Sequence, residues 1–64
     1  LKEVENHVLE LGGRVLFIET SSQEKYESTR KFYLKYGYNL EARVRGFYAA
    51  GDDMMVYRKS LKPE

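Results

Sequence analysis

The sequence has 64 residues, with 11 basic and 10 acidic side chains, one histidine and no cysteine. This length excludes a second domain, and the lack of cysteine excludes disulfides and thiolate metal sites. His7 alone cannot form a metal site. The charges are interspersed and the net charge is +1, so no basic stripe indicates nucleic-acid binding. With no apolar run long enough to span a membrane and no signal-peptide pattern, we expect a cytoplasmic protein.

The first stretch of the chain has the spacing of an amphipathic helix. Apolar residues recur at i, i+3, i+7 and i+10 with polar residues between them: Leu1, Val4, Val8 and Leu11. The pair Gly12-Gly13 is a strong stop signal and ends the predicted helix. Because the chain starts at Leu1 rather than at a methionine, and already within this helix, we expect that further sequence precedes it. Residues 1–64 then form a single partial domain.

A short apolar run, Arg14–Glu19, follows the glycines. A continuous apolar run with β-branched and aromatic members is typical of a strand buried on both faces. The connection Thr20–Lys25 leads into the next helix, and Ser21 with Glu24 fits the capping-box pattern at the start of that helix.

The central segment predicts a short helix with an aromatic side. Four residues line one side of a 3.6-residue helix, with Phe32 next to them: Tyr26, Thr29, Tyr33 and Tyr36. An aromatic stripe of this kind is most often part of a core. Gly37 stands where a helix commonly ends on a left-handed residue.

The remainder of the chain predicts two strands joined by a turn. The segment after Gly37 alternates, with one set of side chains pointing one way (Tyr38, Leu40, Ala42, Val44) and a polar set pointing the other (Asn39, Glu41, Arg43, Arg45). Gly46 predicts a bulge or bend. A turn over residues 49–53 leads to the last strand, Met54–Lys59, and we expect the tail, residues 62–64, to be frayed.

The predicted order is therefore α-β-α-β-β, an α/β (α+β) fold with a mixed three-stranded sheet. Because the last two strands form a hairpin, we expect the last strand to lie between the other two. The first strand then has one edge without a partner, and exposed apolar edges are normally covered. Upstream strands of the missing N-terminal half, or a second copy in a homodimer, would cover it.

The order of these segments resembles the C-terminal half of a GNAT-type N-acetyltransferase. The resemblance rests on three stretches: Gly12-Gly13 with Val15–Thr20, then Phe32–Tyr38, then Phe47-Tyr48 through Gly51–Asp53 to Val56-Tyr57. The most specific of these is the aromatic-Tyr-x-Lys-x-Gly-aromatic segment. Members that acetylate protein N-termini, such as the ribosomal-protein N-terminal acetyltransferases, look most similar.

The resemblance implies a reaction in which a substrate amine attacks the thioester of acetyl-CoA and releases the CoA thiolate. In many members a tyrosine of the corresponding helix is the acid, and this tyrosine matches Tyr33. In the N-terminal acetyltransferases a glutamate at the end of the preceding strand is a candidate base, and it matches Glu19. A phenol with a pKa of about 10 is protonated at neutral pH and suits an acid role.

The same resemblance implies cofactor contacts from Tyr26, Thr29 and Arg30. Many members carry Asn at the position of Tyr26. The family holds the CoA pyrophosphate with a Gln/Arg-x-x-Gly-x-Gly/Ala loop at a helix N-terminus, and the 64 residues contain no such loop. We therefore expect the chain alone to bind acetyl-CoA weakly or not at all and to be inactive. The acceptor is expected to be a peptide or protein amine, with small-molecule amines left open.

Other interpretations remain at this stage. The chain could be a small non-catalytic α/β module that dimerises through its free strand edge. Nucleic-acid binding would rest on a cluster of basic residues on adjacent strands, which more commonly forms a solvated face: Arg43, Arg45, Arg58 and Lys59. Equally, Tyr33 could be a core residue and Glu19 a surface or capping residue.

Overall fold

The structure, a computed structural model, describes residues 1–62 of the chain. Two helices and three strands follow in the predicted order, with one 3₁₀ turn at Glu24–Tyr26 before the second helix: α1 (Lys2–Glu10), β1 (Val15–Ser21), α2 (Glu27–Lys35), β2 (Asn39–Ala49) and β3 (Asp52–Ser60). The prediction of a frayed tail falls on residues 62–64, of which 63 and 64 lie outside the described residues.

The sheet has the order β1-β3-β2, so the prediction that the last strand is central is confirmed. Both pairings are antiparallel, whereas we predicted a mixed sheet. The hairpin returns β3 antiparallel to β2, and β1 runs in the same direction as β2 but does not touch it. Within residues 1–62, no strand lies beside the outer edge of β1.

The two faces of the sheet are covered unequally. The buried residues of β3 are Asp53, Met55 and Tyr57, and we call the face to which they point the helix face. Glu5 of α1 and Tyr33 of α2 both contact this face, through a hydrogen bond and through ring packing respectively. We call the opposite side the open face.

β1 is covered on one side only, so our prediction that it is buried on both sides is wrong. Phe17 is paired with Arg58, and directly opposed residues in an antiparallel pair share a face, so Phe17 points to the open face. Its side chain is 55% exposed. Both helices of the described chain pack on the helix face, which leaves the other side of the apolar run uncovered.

A bulge in β2 overturns the simple alternation that we predicted. Leu40 is paired with Tyr57 and Ala42 with Val56, so Glu41 is an extra residue without a partner in β3. Leu40 therefore points to the helix face, whereas Ala42 and Val44 point to the open face. The bend predicted at Gly46 is confirmed: the register shifts again between residues 44 and 49, and φ at Gly46 is +65°.

The core is small and aromatic. It consists of Tyr38, Met55 and Tyr57, with three half-buried residues packed against it: Leu16, Ile18 and Tyr33. Of the aromatic side predicted for α2, only Tyr33 joins this cluster, while the other rings are exposed: Tyr26, Phe32 and Tyr36. Three strands offer too little area to cover a whole side of the helix, and the exposed rings of Phe32 and Tyr36 instead contact each other, with 4.6 Å between their centroids.

The motif that ends α2 places Tyr38 in this core. Gly37 has φ of +90°, its N–H donates to the Leu34 carbonyl at 3.3 Å, and the N–H of Tyr38 donates to the Tyr33 carbonyl at 3.0 Å. This is the Schellman arrangement, in which a left-handed residue, usually glycine, follows the helix. The rings of Tyr33 and Tyr38 lie 5.9 Å apart across the motif. The predicted stop at Gly37 is confirmed.

Candidate functional site

Two cavities, both open to solvent, are lined by four of the five residues that the sequence singled out, whereas Arg30 lines neither. The first, which we call the α2 cavity, has a volume of about 530 Å³ and is lined by Ser28, Thr29, Phe32 and Tyr33 together with Leu1. Thr29 and Tyr33 lie one turn apart on α2, so both reach it. The cavity therefore combines hydroxyl groups with aromatic rings on one side of a helix.

Tyr33 is held from behind by the core. Its ring centroid lies 5.9 Å from that of Tyr38 and 5.7 Å from that of Tyr57. Such tilted ring contacts restrict the orientation of the ring. Tyr33 is thus both a packing residue, as the simpler interpretation had it, and a residue that lines a cavity.

We call the second cavity the hairpin cleft. It has a volume of about 490 Å³ and lies between the end of β1, the start of α2 and the tip of the β2–β3 hairpin, lined among others by Glu19, Tyr26, Tyr48 and Asp52. Glu19 is paired with Val56 and therefore points to the open face. Glu19 and Tyr33 line different cavities, and the structure does not bring them together. Tyr26 shares the cleft of Glu19 and not the cavity of Thr29.

Arg30 holds the connection between β1 and α2. Its Nη1 donates to the carbonyl oxygens of Ser21 and Gln23, at 2.8 Å each. The capping box predicted for Ser21 and Glu24 is wrong, because Ser21 still belongs to β1. Its Oγ instead accepts from the Gln23 N–H at 3.0 Å and donates to the carboxylate of Asp52. A sequence pattern cannot reveal that the strand extends to this residue.

Asp53 joins the hairpin to the same connection, and we call its set of hydrogen bonds the Asp53 clamp. The buried carboxylate accepts from Arg43 Nε at 2.6 Å and from the Gly46 N–H at 2.8 Å. The Asp53 N–H donates to Ser22 Oγ at 2.8 Å, and the Ser22 N–H donates to the Asp53 carbonyl at 2.9 Å. Sequence analysis missed this residue because an acid after Gly51 is an ordinary turn signal.

We expect Asp53→Asn to loosen the bend at Gly46. The Gly46 N–H, and after it the Arg43 guanidinium, holds the pKa of the Asp53 carboxyl below its usual range. A lowered pKa in the folded state stabilises the fold above the unfolded pKa, and this contribution is lost as the pH falls through the folded pKa. Hydrogen exchange should show faster exchange of the Gly46 amide in the variant at neutral pH, and in the unchanged protein at acidic pH a smaller protection relative to the intrinsic exchange rate at that pH. Equal exchange rates at neutral pH would contradict the clamp.

A second polar cluster fastens α1 to the sheet. The Tyr38 hydroxyl donates to Glu5 Oε2 at 2.9 Å, and Lys59 Nζ donates to Glu5 Oε1 at 3.0 Å and to the Tyr36 carbonyl at 2.9 Å. Burial acts to raise the pKa of Glu5, but the hydrogen bonds from Lys59 and Tyr38 outweigh it and the pKa is lowered. Burial, followed by the effect of Glu5, raises the pKa of the Tyr38 hydroxyl. The sequence showed Glu5 only as one of the polar residues between apolar ones.

The basic residues of the nucleic-acid hypothesis do not form one surface. Arg43 is opposite Met55 on the helix face and pairs with Asp53, and Lys59 pairs with Glu5. Arg58 is opposite Phe17 on the open face. Within the part of the chain that the structure describes, no group of three His, Cys, Asp or Glu side chains could hold a metal ion, and no helix is long and apolar enough to cross a membrane.

The fold occurs in solved structures of acetyltransferases. A crystal structure from Desulfovibrio desulfuricans, of a protein assigned to the GNAT family of acetyltransferases, is 46% identical to the chain with a TM-score of 0.92, and the match covers 95% of this chain and 38% of that one. The aminoglycoside 6'-N-acetyltransferase from Enterococcus faecium is 16% identical with a TM-score of 0.81, covering 98% of this chain and 49% of that one. The second likeness concerns the fold alone.

The chain spans less than half the length of either of these two structures. Comparison with protein-family models gave no match, and comparison with curated proteins gave none either. Identity of 46% over nearly the whole chain, with the same order of helices and strands, is nevertheless enough to assign the family. The chain belongs to the GNAT superfamily of acetyltransferases.

Proposed function

We propose that the chain forms part of an acetyl-CoA-dependent N-acetyltransferase in which Tyr33 is the acid. The observation that carries this proposal is the position of Tyr33, whose ring is packed against Tyr38 and Tyr57 while it also lines the α2 cavity. A phenol held in a fixed orientation can donate its proton to a leaving sulfur without prior rearrangement.

The α2 cavity is the side on which the chain would hold the cofactor. The hydroxyls of Ser28 and Thr29 can hydrogen-bond the amides of an extended ligand, and Phe32 supplies an apolar wall. When bound, acetyl-CoA supplies the acetyl thioester that the amine attacks. Of the other residues expected to contact the cofactor, Arg30 fixes the start of α2 through its bonds to the connection, whereas Tyr26 lines the hairpin cleft and not the α2 cavity.

Glu19 is the proposed base, on the acceptor side. Its carboxylate is exposed at the end of β1 in the hairpin cleft, where it can take the proton of an arriving ammonium. Because Tyr33 and Glu19 line different cavities, the acceptor must reach across the end of β1 toward the α2 cavity. Glu19 then takes the proton from the ammonium in the hairpin cleft before the amine attacks, and Tyr33 protonates the leaving sulfur in the α2 cavity.

The complete activity requires more than these 64 residues, because the sequence contains no phosphate-binding loop. The matching region is 38% of the Desulfovibrio relative. We propose that the remaining part of such a domain, or a second copy of the chain, lies beside the outer edge of β1 and completes the cofactor site.

The proposal can be tested by replacing the matching region of the Desulfovibrio relative with this chain and titrating acetyl-CoA calorimetrically. We expect this chimera to bind with a Kd of about 1 μM to 1 mM, the usual range for enzyme substrates. The 64-residue chain alone should bind at least about tenfold more weakly, because nothing in it holds the pyrophosphate. A folded chimera that binds no acetyl-CoA would contradict the proposal.

A non-catalytic module that dimerises through β1 is the second candidate. It is favoured by the exposed Phe17 and by the outer edge of β1, which no strand covers within residues 1–62. Apolar edges of this kind pair with other strands. Light scattering that finds a dimer of the 64-residue chain, combined with a chimera that does not bind acetyl-CoA, would support this candidate over the first.

A further inference from the structure

We infer that the hairpin cleft binds an acceptor in its alkylammonium form, and that it favours a diamine over an amine that also carries a carboxylate. The inference deepens the proposed function, since it names the class of amine that would be acetylated. Binding in the cleft, however, can be measured without acetyl-CoA.

The charge of the cleft comes from two different strands. Glu19 belongs to β1 and Asp52 is the first residue of β3, and both line the same space of about 490 Å³. Among the lining residues only Lys25 is basic. Two carboxylates and one ammonium leave an excess of negative charge, which attracts cations and repels a ligand carboxylate.

Aromatic rings supply the second element of recognition. Tyr26 and Tyr48 line the cleft, on the helix side and on the hairpin side respectively. Lys25 Nζ lies 5.4 Å from the centroid of the Tyr26 ring, so the protein itself already places an ammonium on one of these rings. Cation–π attraction and carboxylates together recognise alkylammonium groups. Lys25 is exposed and can be displaced by a ligand cation.

One wall of the cleft, formed by Ser21 and Asp52, is fixed before any ligand binds. Ser21 donates to the Asp52 carboxylate, and Arg30 holds the carbonyl of the same serine. The Asp53 clamp ties the start of β3 to Ser22. The ring of Tyr48 stands edge-on to that of Phe47, with centroids 5.1 Å apart. A site built in this way loses little conformational freedom on binding.

This arrangement ranks possible acceptors. A diamine places one ammonium near each carboxylate, or one at a carboxylate and one on a ring. An ω-amino acid of the same length retains one favourable group and adds a repelled one. A peptide N-terminus, the acceptor that the family resemblance favoured, offers a single ammonium and should bind more weakly than a diamine.

The test is an NMR titration of the ¹⁵N-labelled 64-residue chain at pH 7 with matched small molecules. 1,4-Diaminobutane should shift the amides of Glu19, Tyr48 and Asp52 with a Kd of about 1 mM, typical of weak small-ligand binding. Its uncharged counterpart 1,4-butanediol should cause no saturable shift, and 4-aminobutanoate should bind about tenfold more weakly. Tighter binding of trialanine amide than of the diamine, or equal binding of the diol, would overturn the inference.

Variants identify the groups that recognise the diamine. Glu19→Gln and Asp52→Asn should each weaken it about tenfold, and Tyr48→Ala should weaken it whereas Tyr48→Phe, which keeps the ring, should not. Glu3→Gln, which removes an exposed carboxylate from α1, is the control and should have no effect. Tyr48 is exposed, so its variants should remain folded. Unchanged binding in both Glu19→Gln and Asp52→Asn would overturn the inference.

The two proposals fail in different ways. Diamine binding to the chain, combined with a chimera that does not bind acetyl-CoA, would keep the cleft as a cation site and remove the transferase function. Acetyl-CoA binding by the chimera without saturable diamine binding to the chain would keep the transferase function and overturn the assignment of its acceptor.

Discussion

Replacing Tyr38 with alanine is expected to unfold the isolated chain at 25 °C. Its side chain is 1% exposed and lies against Tyr33, and it is the largest fully buried residue. Removing a buried aromatic side chain costs about 3–5 kcal/mol, which equals the total stability of about 3–5 kcal/mol that a single core of this size supplies. Far-UV circular dichroism should show loss of the native spectrum. A cooperative urea transition with an unchanged midpoint would contradict this expectation.

Tyr38→Phe separates the hydrogen bond from the packing. The ring stays, but Glu5 loses the hydroxyl donor at 2.9 Å and keeps Lys59 at 3.0 Å. We expect a loss of about 1–2 kcal/mol in urea unfolding at pH 7. Because Lys59 still holds the carboxylate, the variant should remain folded and serves as the matched control for the alanine variant.

The pH dependence of stability should change in the same variant. The lowered pKa of Glu5 stabilises the fold above the unfolded value of about 4.3, and this is lost as the pH falls through the folded pKa. The raised pKa of Tyr38 stabilises the fold below the unfolded value of about 10, and this is lost as the pH rises above it. Tyr38→Phe should abolish the alkaline loss that this group causes and weaken the acid one.

Tyr33→Phe is expected to lower the rate of acetyl transfer in the chimera by about 10²–10⁴-fold, the usual contribution of a general acid. The substitution keeps the ring and its contacts with Tyr38 and Tyr57, so the fold should be retained. Release of free CoA thiol in the presence of a primary amine measures the rate, and calorimetry checks that acetyl-CoA still binds.

Tyr36→Phe is the matched control for this experiment. It removes the same hydroxyl from the same helix, but from an exposed residue outside the α2 cavity. Only the Tyr36 carbonyl, not its hydroxyl, is bonded to Lys59. We expect its rate to stay within about twofold of the unchanged chimera, well inside the loss expected for a general acid. Equal losses in both variants would mean that Tyr33 acts through packing and not as an acid.

Much of the fold follows from local sequence signals. Periodicity identified both helices, Gly37 identified the end of α2, and the hairpin led to the central position of β3. These features depend on residues near each other in the chain, where backbone preferences and spacing act directly. The same signals carried the resemblance that the Desulfovibrio structure supports.

The incorrect predictions depend on contacts between distant segments. Whether Phe17 is buried depends on what covers the open face, and the capping role of Ser21 was lost to a bond with Asp52, 31 residues away in the chain. The Asp53 clamp and the bond between Glu5 and Tyr38 join segments far apart in sequence. A polar residue gives no local sign of such a partner.

The candidate site was predicted residue by residue but not as an arrangement. The sequence identified Tyr33 and Thr29, and the structure places both in one cavity. The sequence could not show that Tyr26 and Glu19 line a different cavity, because the face to which Glu19 points is set by its register with Val56. Tyr48 and Asp52 belonged to a stretch that carried the resemblance, but neither was predicted as a site residue.

The extra residue in β2 gives this strand the equivalent of a reading frame. Before Glu41 an even-numbered side chain, Leu40, points to the helix face, and after it, as far as the second register shift, the odd-numbered Arg43 does. Deleting this one residue would therefore act like a frameshift: Arg43 would turn away from Asp53, and the side chains from Ala42 to Val44 would exchange sides. Single substitutions along β2, apart from those at Arg43 and Gly46, should be tolerated, while insertions and deletions there should be selected against strongly.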